Sequence, residues 1–219
     1  MNKIFEFTSF EILYKRCILA SIAHAIMVGK YDMLASEQSW DGANYNFQDM
    51  EGIRGVFSFE KECYVCAIQN SQNFLKGTDK IVAQLLDGAD KSICELAQNE
   101  ALEYLMIDDE GKVVPAATAI FWGDRDSNYC DISEQDFMEK SDRILLPYLF
   151  DEEDAVAYWK DYYEMNSEQI QMLEELYALK MSSDSKIIMD NDIRDRLIQW
   201  FEEIDDCIES FAEMDMYFN

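Results

Sequence analysis

The sequence has a single histidine, two prolines, eight glycines and few basic side chains. Each shortage excludes something. Without a second histidine, His-based metal sites and paired imidazole acid–base schemes lose most of their usual parts. So few glycines and prolines exclude long flexible linkers. The N-terminus, Met-Asn-Lys-Ile-Phe-Glu-Phe-Thr, has no basic stretch leading into an apolar run with a small-residue cleavage site, so no signal peptide is read there. No run of 18 consecutive apolar residues occurs, and no membrane span is expected. The Gly-rich phosphate loop, Gly-x-Ser-x-Gly and His-Glu-x-x-His are also missing. So are basic patches interleaved with aromatics, which argues against direct nucleic-acid binding.

What the sequence does have is apolar content and acid. Hydrophobic residues make up 49% of the 219 and aromatics 13%, too much for a chain that cannot collapse. Against 18 Lys and Arg stand 45 Asp and Glu, a formal charge of −27. Such a surface repels itself, nucleic-acid phosphate and anionic membranes, and attracts basic surfaces. General solvation, or adaptation to high salt, is the plainer explanation. Residues 151–219 hold 20 acidic and 5 basic side chains, a net of −15 in 69 residues, against −12 over residues 1–150.

Patterning predicts an α+β fold. Thr8-Ser9-Phe10-Glu11 resembles a capping box for a helix with Phe10, Leu13, Tyr14, Cys17, Ile18, Ser21, His24 and Ala25 on one stripe, ending near Gly29. A small antiparallel sheet of three to four strands is expected next. It comprises residues 39–47, 53–59 and 63–69, with 113–122 as a central strand weakened at Pro115. Helices are expected over 79–87 and 91–106, and a turn at Asp109-Glu110-Gly111. A helix-rich, acidic C-terminal third follows. Asn166 caps a helix from Ser167, and a last helix spans 191–215 with Ile193, Leu197, Trp200, Phe201, Ile204, Ile208 and Phe211 on one buried stripe. The chain reads as a single domain over 1–219, with a mixed α+β core over 1–132 and a helical subdomain over 133–219.

On that last helix Glu202, Asp205, Asp206, Glu209 and Glu213 would share one face with no compensating cation. Like charges at i,i+4 cost about 0.2–0.5 kcal/mol per pair. A solvated face explains them, and so does an acidic surface that docks on a basic one, imitating spaced phosphates. Trp40, Asp41 and Tyr45 in one loop, and Trp122 and Asp124 in another, suit interface anchors, or close the ends of the sheet core.

Chemistry finds less support. His24 sits on an apolar stripe and reads as a core histidine. Cys17, seven residues away, is about 10.5 Å along the helix axis, out of reach for a Cys–His pair. Cys63-x-x-Cys66 has zinc-ligand spacing without a second pair, and residues three apart on a strand face opposite ways. The six scattered cysteines read as reduced thiols. Asp124-Arg125-Asp126-Ser127-Asn128 lacks the central Gly and terminal Glu of a calcium loop. No catalytic residue, metal or cofactor is assigned.

The stretch Glu37-Gln38-Ser39-Trp40-Asp41-Gly42-x-Asn44-Tyr45, with Gly52-x-Arg54-Gly55-x-x-x-Phe59 after it and Phe121-Trp122-Gly123 later, resembles immunity proteins of bacterial polymorphic toxin systems. The resemblance implies a cytoplasmic, non-enzymatic protein that binds and blocks a cognate toxin or nuclease, itself often basic. Two other functions fit the same acidity: a phage-encoded nucleic-acid mimic that inhibits a host defence nuclease, and an enzyme using carboxylates with a divalent metal.

Overall fold

The computed structural model describes residues 2–71, 78–183 and 185–219. In chain order, the elements among them are β1 (Asn2–Lys3), α1 (Phe10–Met27), β2 (Gln38–Asp41), β3 (Asn44–Gln48), β4 (Ile53–Phe59), β5 (Cys63–Asn70), α2 (Thr78–Leu85), α3 (Lys91–Asn99), β6 (Met106–Asp109), β7 (Lys112–Pro115), β8 (Ala119–Asp124), β9 (Asn128–Cys130), α4 (Glu134–Lys140), α5 (Leu146–Leu149), α6 (Glu152–Tyr163), α7 (Ser167–Met181), β10 (Ile187–Met189), α8 (Asn191–Trp200), α9 (Asp205–Glu213) and β11 (Met216–Phe218). Short 3-10 turns cover Val28–Lys30, Asp32–Ser36 and Ala101–Leu105.

The α+β class holds, but the small sheet does not. The main sheet has seven strands in the order β1-β9-β8-β5-β4-β3-β2. Two of these, β1 and β9, escaped the sequence pattern for a physical reason: they are two and three residues long, too short to show apolar alternation. The expected strand 39–47 is two strands, β2 and β3, divided at Gly42, whose φ is +61°. The expected strand 113–122 is two strands. Pro115 closes β7, which pairs with β6 around the positive-φ turn Glu110-Gly111, while β8 joins the large sheet. β10 and β11 form a separate parallel pair.

By internal contacts the chain forms two compact units, one of Met1–Tyr14 with Ala43–Leu149, the other of Lys15–Gly42 with Phe150–Asn219. In the first unit the sheet is buried on both faces, and the faces differ in kind. Tyr45, Phe47, Phe57, Phe59, Tyr64 and Phe121 project to one side, as the strand register dictates. Phe5, Phe137 of α4 and Tyr148 of α5 cover them. Phe121 meets Phe5 and Phe137 edge-on, both at 5.4 Å between centroids, and Tyr148 lies 5.8 Å from Phe57. Edge-to-face pairs add about 0.5–1.5 kcal/mol each beyond area burial. The opposite face is mostly aliphatic: Val56, Val65, Ala67, Ile120 and Trp122 pack with Val82, Leu85, Ile93, Leu96, Leu102 and Leu105 from α2, α3 and the turn after it.

The second unit is mostly helical. Every residue from Arg16 to Val28 is buried, so this part of α1 has no solvent face. A 21-residue segment, Phe10–Lys30, is long and apolar enough to cross a membrane by composition alone, yet 78% of its most apolar window is buried in the protein. That burial matches a helix packed into the protein's own core. Arg16 is the one buried cation in this unit's described core. Its Nε donates to the Phe150 carbonyl at 3.0 Å, and its Nη1 lies 3.3 Å from Glu152 and 3.4 Å from the Tyr177 hydroxyl. Helix α7 begins as the sequence predicts: Asn166 accepts from the Glu168 and Gln169 amides, and the Gln169 side chain accepts from the Asn166 amide. At α1 the cap shifts by one residue. Ser9 Oγ accepts from the Ile12 amide at 3.4 Å, whereas Thr8 is buried and its hydroxyl has no partner among the described residues.

Gly55, within β4, leaves no room for a side chain. A Cβ on Gly55 would lie 2.4 Å from Phe47 Cζ and 2.6 Å from Ile68 Cδ1. Replacing Gly55 with Ala is therefore expected to cost about 1–3 kcal/mol, the usual cost of overpacking, read as a lower urea midpoint at unchanged slope. Replacing Arg16 with Ala should cost about 3 kcal/mol, the low end for breaking a buried pair because Glu152 stays solvated.

Candidate partner-binding surface

The predicted long helix 191–215 is broken. Helix α8 ends at Trp200, Phe201 turns extended at φ −132° and ψ 146°, and α9 starts at Asp205. Unbroken, the helix would stack Glu202, Asp205, Asp206 and Glu209 on one face. The break separates Glu202 from that face and moves Asp205 and Asp206 into a first helical turn, where the macrodipole favours carboxylates. The single five-carboxylate stripe is thus corrected to a non-helical link with Glu202 and Glu203, followed by Asp205, Asp206, Glu209 and Glu213 on a short helix. The buried residues of α9 are Cys207 and Phe211.

The link is held from behind. A Cβ on Gly29 would meet the Glu203 carbonyl at 3.0 Å, and Cys207 Sγ and a Phe201 ring carbon both at 3.1 Å, so these groups close on the Gly29 backbone. Glu202, Glu203, Asp205, Asp206 and Glu209 are exposed and make no ion pair among the described residues. Glu213 differs: its carboxylate accepts the Trp40 backbone N–H at 2.7 Å. Burial pushes its carboxyl pKa up, the Trp40 amide opposes that, and repulsion from Glu209 and Asp41 adds to it. Trp40 is half-buried, its indole N–H bonded to Ser21 Oγ at 2.7 Å. Trp40, Asp41 and Glu213 therefore come together.

The other predicted anchors do not join them. Tyr45 is fully buried, its hydroxyl 3.0 Å from that of Tyr148, and Trp122 is 3% exposed in the aliphatic face of the sheet. Tyr45 is corrected from a surface anchor to a core residue, and Trp122 takes the other reading given for it, part of the sheet core, because the sheet is covered on both sides at these positions. Asp124 is exposed, but its Oδ1 accepts the amides of Asp126 and Ser127, both at 2.9 Å. Asn128, which follows, is buried and donates to the Phe5 and Thr8 carbonyls. This segment is a structural turn in the first unit.

Reasoning from sequence missed a cleft in the second unit, of about 710 Å³. Three segments line it: Met27, Gly29 and Lys30; Glu164, Asn166 and Gln169; and Trp200, Phe201, Glu202 and Glu203. Lys30 Nζ donates to the Tyr163 carbonyl at 3.1 Å and to Glu164 at 2.8 Å. That ammonium holds the Glu164 carboxyl below its ordinary range, by hydrogen bond first and by charge second. Asn166 and Gln169 are committed to the cap of α7. The carboxylates of Glu202 and Glu203 are not committed. The helix break, invisible to a periodic count of apolar residues, is what creates this cleft.

The groups that suggested chemistry are quiet. His24 is buried with Nδ1 3.3 Å from the Tyr163 hydroxyl, and desolvation lowers its pKa to about 4. Burial pushes the Cys17 thiol well up, away from a nucleophilic thiolate. Cys66 is buried and Cys63 half-buried on one strand, and all six cysteines are free. Among the described residues no three His, Cys, Asp or Glu side chains converge as a metal site requires. Comparison of the chain with family models, with curated proteins and with solved structures gave no match.

Two titrations check this picture. His24 has a folded pKa of about 4 against 6.5 unfolded, so both states are neutral above pH 6.5. As pH falls from there, the unfolded chain takes up a proton that the folded one refuses. Stability is thereby lost down to about pH 4, by about 3 kcal/mol in all, relative to a His24→Asn variant. Denaturant titrations of both proteins across this range measure the difference. Glu213→Gln should raise the melting temperature at neutral pH, because the folded state disfavours the charge. That gain should vanish below the carboxyl's pKa, where the wild-type group is protonated in both states.

Proposed function

We propose that the protein is an immunity-type inhibitor, a cytoplasmic acidic binding protein that neutralises a cognate toxin or nuclease by covering a basic surface on it. The observation that carries this reading is the run Glu202, Glu203, Asp205, Asp206 and Glu209, exposed and without ion pairs among the described residues. A protein with net charge −27 gains by placing these carboxylates against cations, since association relieves their mutual repulsion and steers encounter. Six free cysteines suit a reducing compartment. The nucleic-acid mimic is the weaker reading, because the break at 201–204 removes the regular helical spacing that a phosphate imitation would use. The metal enzyme is weaker still, lacking converged ligands among the described residues.

The test is binding to the protein encoded by the neighbouring gene, measured by stopped flow at low and high salt. Affinity should fall as salt rises, and a triple variant, D205N/D206N/E209Q, should lower the association rate about tenfold and flatten the salt dependence. Binding indifferent to both salt and the triple variant would sink the electrostatic reading.

A further inference from the structure

The cleft of the second unit contains two helix C-termini, and only one is neutralised. At the end of α6, Lys30 donates to the Tyr163 carbonyl and pairs with Glu164. At the end of α8 there is no basic residue in the last turn. The last carbonyls of a helix carry roughly half a negative charge between them. Here that end opens at Trp200 and Phe201, directly before the exposed carboxylates of Glu202 and Glu203. The cationic and anionic groups lining the cleft are Lys30, Glu164, Glu202 and Glu203, so one acid is answered and two are not.

We propose that this cleft receives an arginine side chain of the partner protein. The proposal rests on the binding function proposed above and names the group that the site recognises. Three features select a guanidinium. Two neighbouring carboxylates suit its planar fork of donors. Aromatic walls suit its flat, weakly hydrated face. The end of α8, which has no basic side chain in its last turn, favours positive charge independently of either glutamate. The protein already makes this combination once within itself: the Arg196 guanidinium lies 5.7 Å from the centre of the Trp200 ring and pairs with Glu175 at 3.2 Å. A volume of about 710 Å³ is within the usual range of ligand clefts and leaves room for backbone on either side of the arginine. Arginine is also among the residues enriched at interface hot spots. The acidic helix α9 would then steer the partner, and the cleft would hold it.

The probe is a capped tripeptide, acetyl-Gly-Arg-Gly-amide, titrated into the full chain at low salt and followed by two-dimensional amide NMR. The Trp200 indole N–H is the reporter, assigned with a Trp200→Phe variant. A saturable shift at Trp200, Phe201 and Lys30 is expected. The same peptide with citrulline, isosteric but uncharged, should bind about tenfold more weakly, the loss of one charge-assisted contact. E202Q/E203Q should weaken the arginine peptide by at least that factor. Both glutamates are exposed, so this variant keeps its fold, checked by its far-UV spectrum and melting temperature. Shifts that never saturate, that spread over all acidic residues alike, or that are equal for arginine and citrulline would overturn the proposal. So would an arginine peptide that ignores E202Q/E203Q. If the peptide fails while D205N/D206N/E209Q still slows partner association, the cleft assignment falls and the inhibitor reading stands.

Discussion

The second unit depends on a helix with no outside. From Arg16 to Val28 every side chain is buried, and the segment includes Arg16, Ser21 and His24. A helix immersed in this way must find partners for its polar groups from the elements around it. Arg16 takes the Phe150 carbonyl, Glu152 and Tyr177; Ser21 receives the Trp40 indole; His24 meets the Tyr163 hydroxyl. These three contacts fix α6, α7 and β2 against one axis. Its last turn then leads into Gly29, on which the Phe201–Cys207 segment closes. The acidic surface is the outer side of an arrangement specified from within.

The first unit solves a different problem. A strongly acidic chain must bury enough apolar area to outweigh its own repulsion. Its sheet does so by having no solvated face: rings on one side, mostly aliphatic side chains on the other. Carboxylates are thereby confined to loops, helix exteriors and strand ends. The charge density of the C-terminal third follows from the same economy, since helices offer an exposed face that this sheet does not.

Features governed by local chemistry were legible in the sequence. Asn166 and Gln169 specify the start of α7, Glu110-Gly111 specify a turn, and His24 on an apolar stripe reads correctly as core. Features governed by packing were not. Nothing in Asn2–Lys3 signals a strand, because its partner β9 is distant in sequence, and Asn128–Cys130, though it forms a hairpin with β8, is too short to show an alternation. Tyr45 and Trp122 sit beside polar residues and so resemble anchors, yet a sheet covered on both sides buries them. The apolar spacing of Ile193 to Phe211 continues smoothly through Phe201, so periodicity alone runs two helices together. The signal against a single helix lay in the charges, whose crowding a break relieves.

That break has a consequence for how the surface can change. Residues 201–204 belong to no helix and no strand, and Glu202 and Glu203 point to solvent. Exchanges at such positions typically alter stability by no more than about 0.5 kcal/mol in either direction. The backbone beneath them is meanwhile held by contacts to Gly29 that do not involve their side chains. Side-chain identity at this edge is therefore uncoupled from foldability. A lineage carrying this protein could revise the charge displayed there, one residue at a time, while the scaffold stays the same.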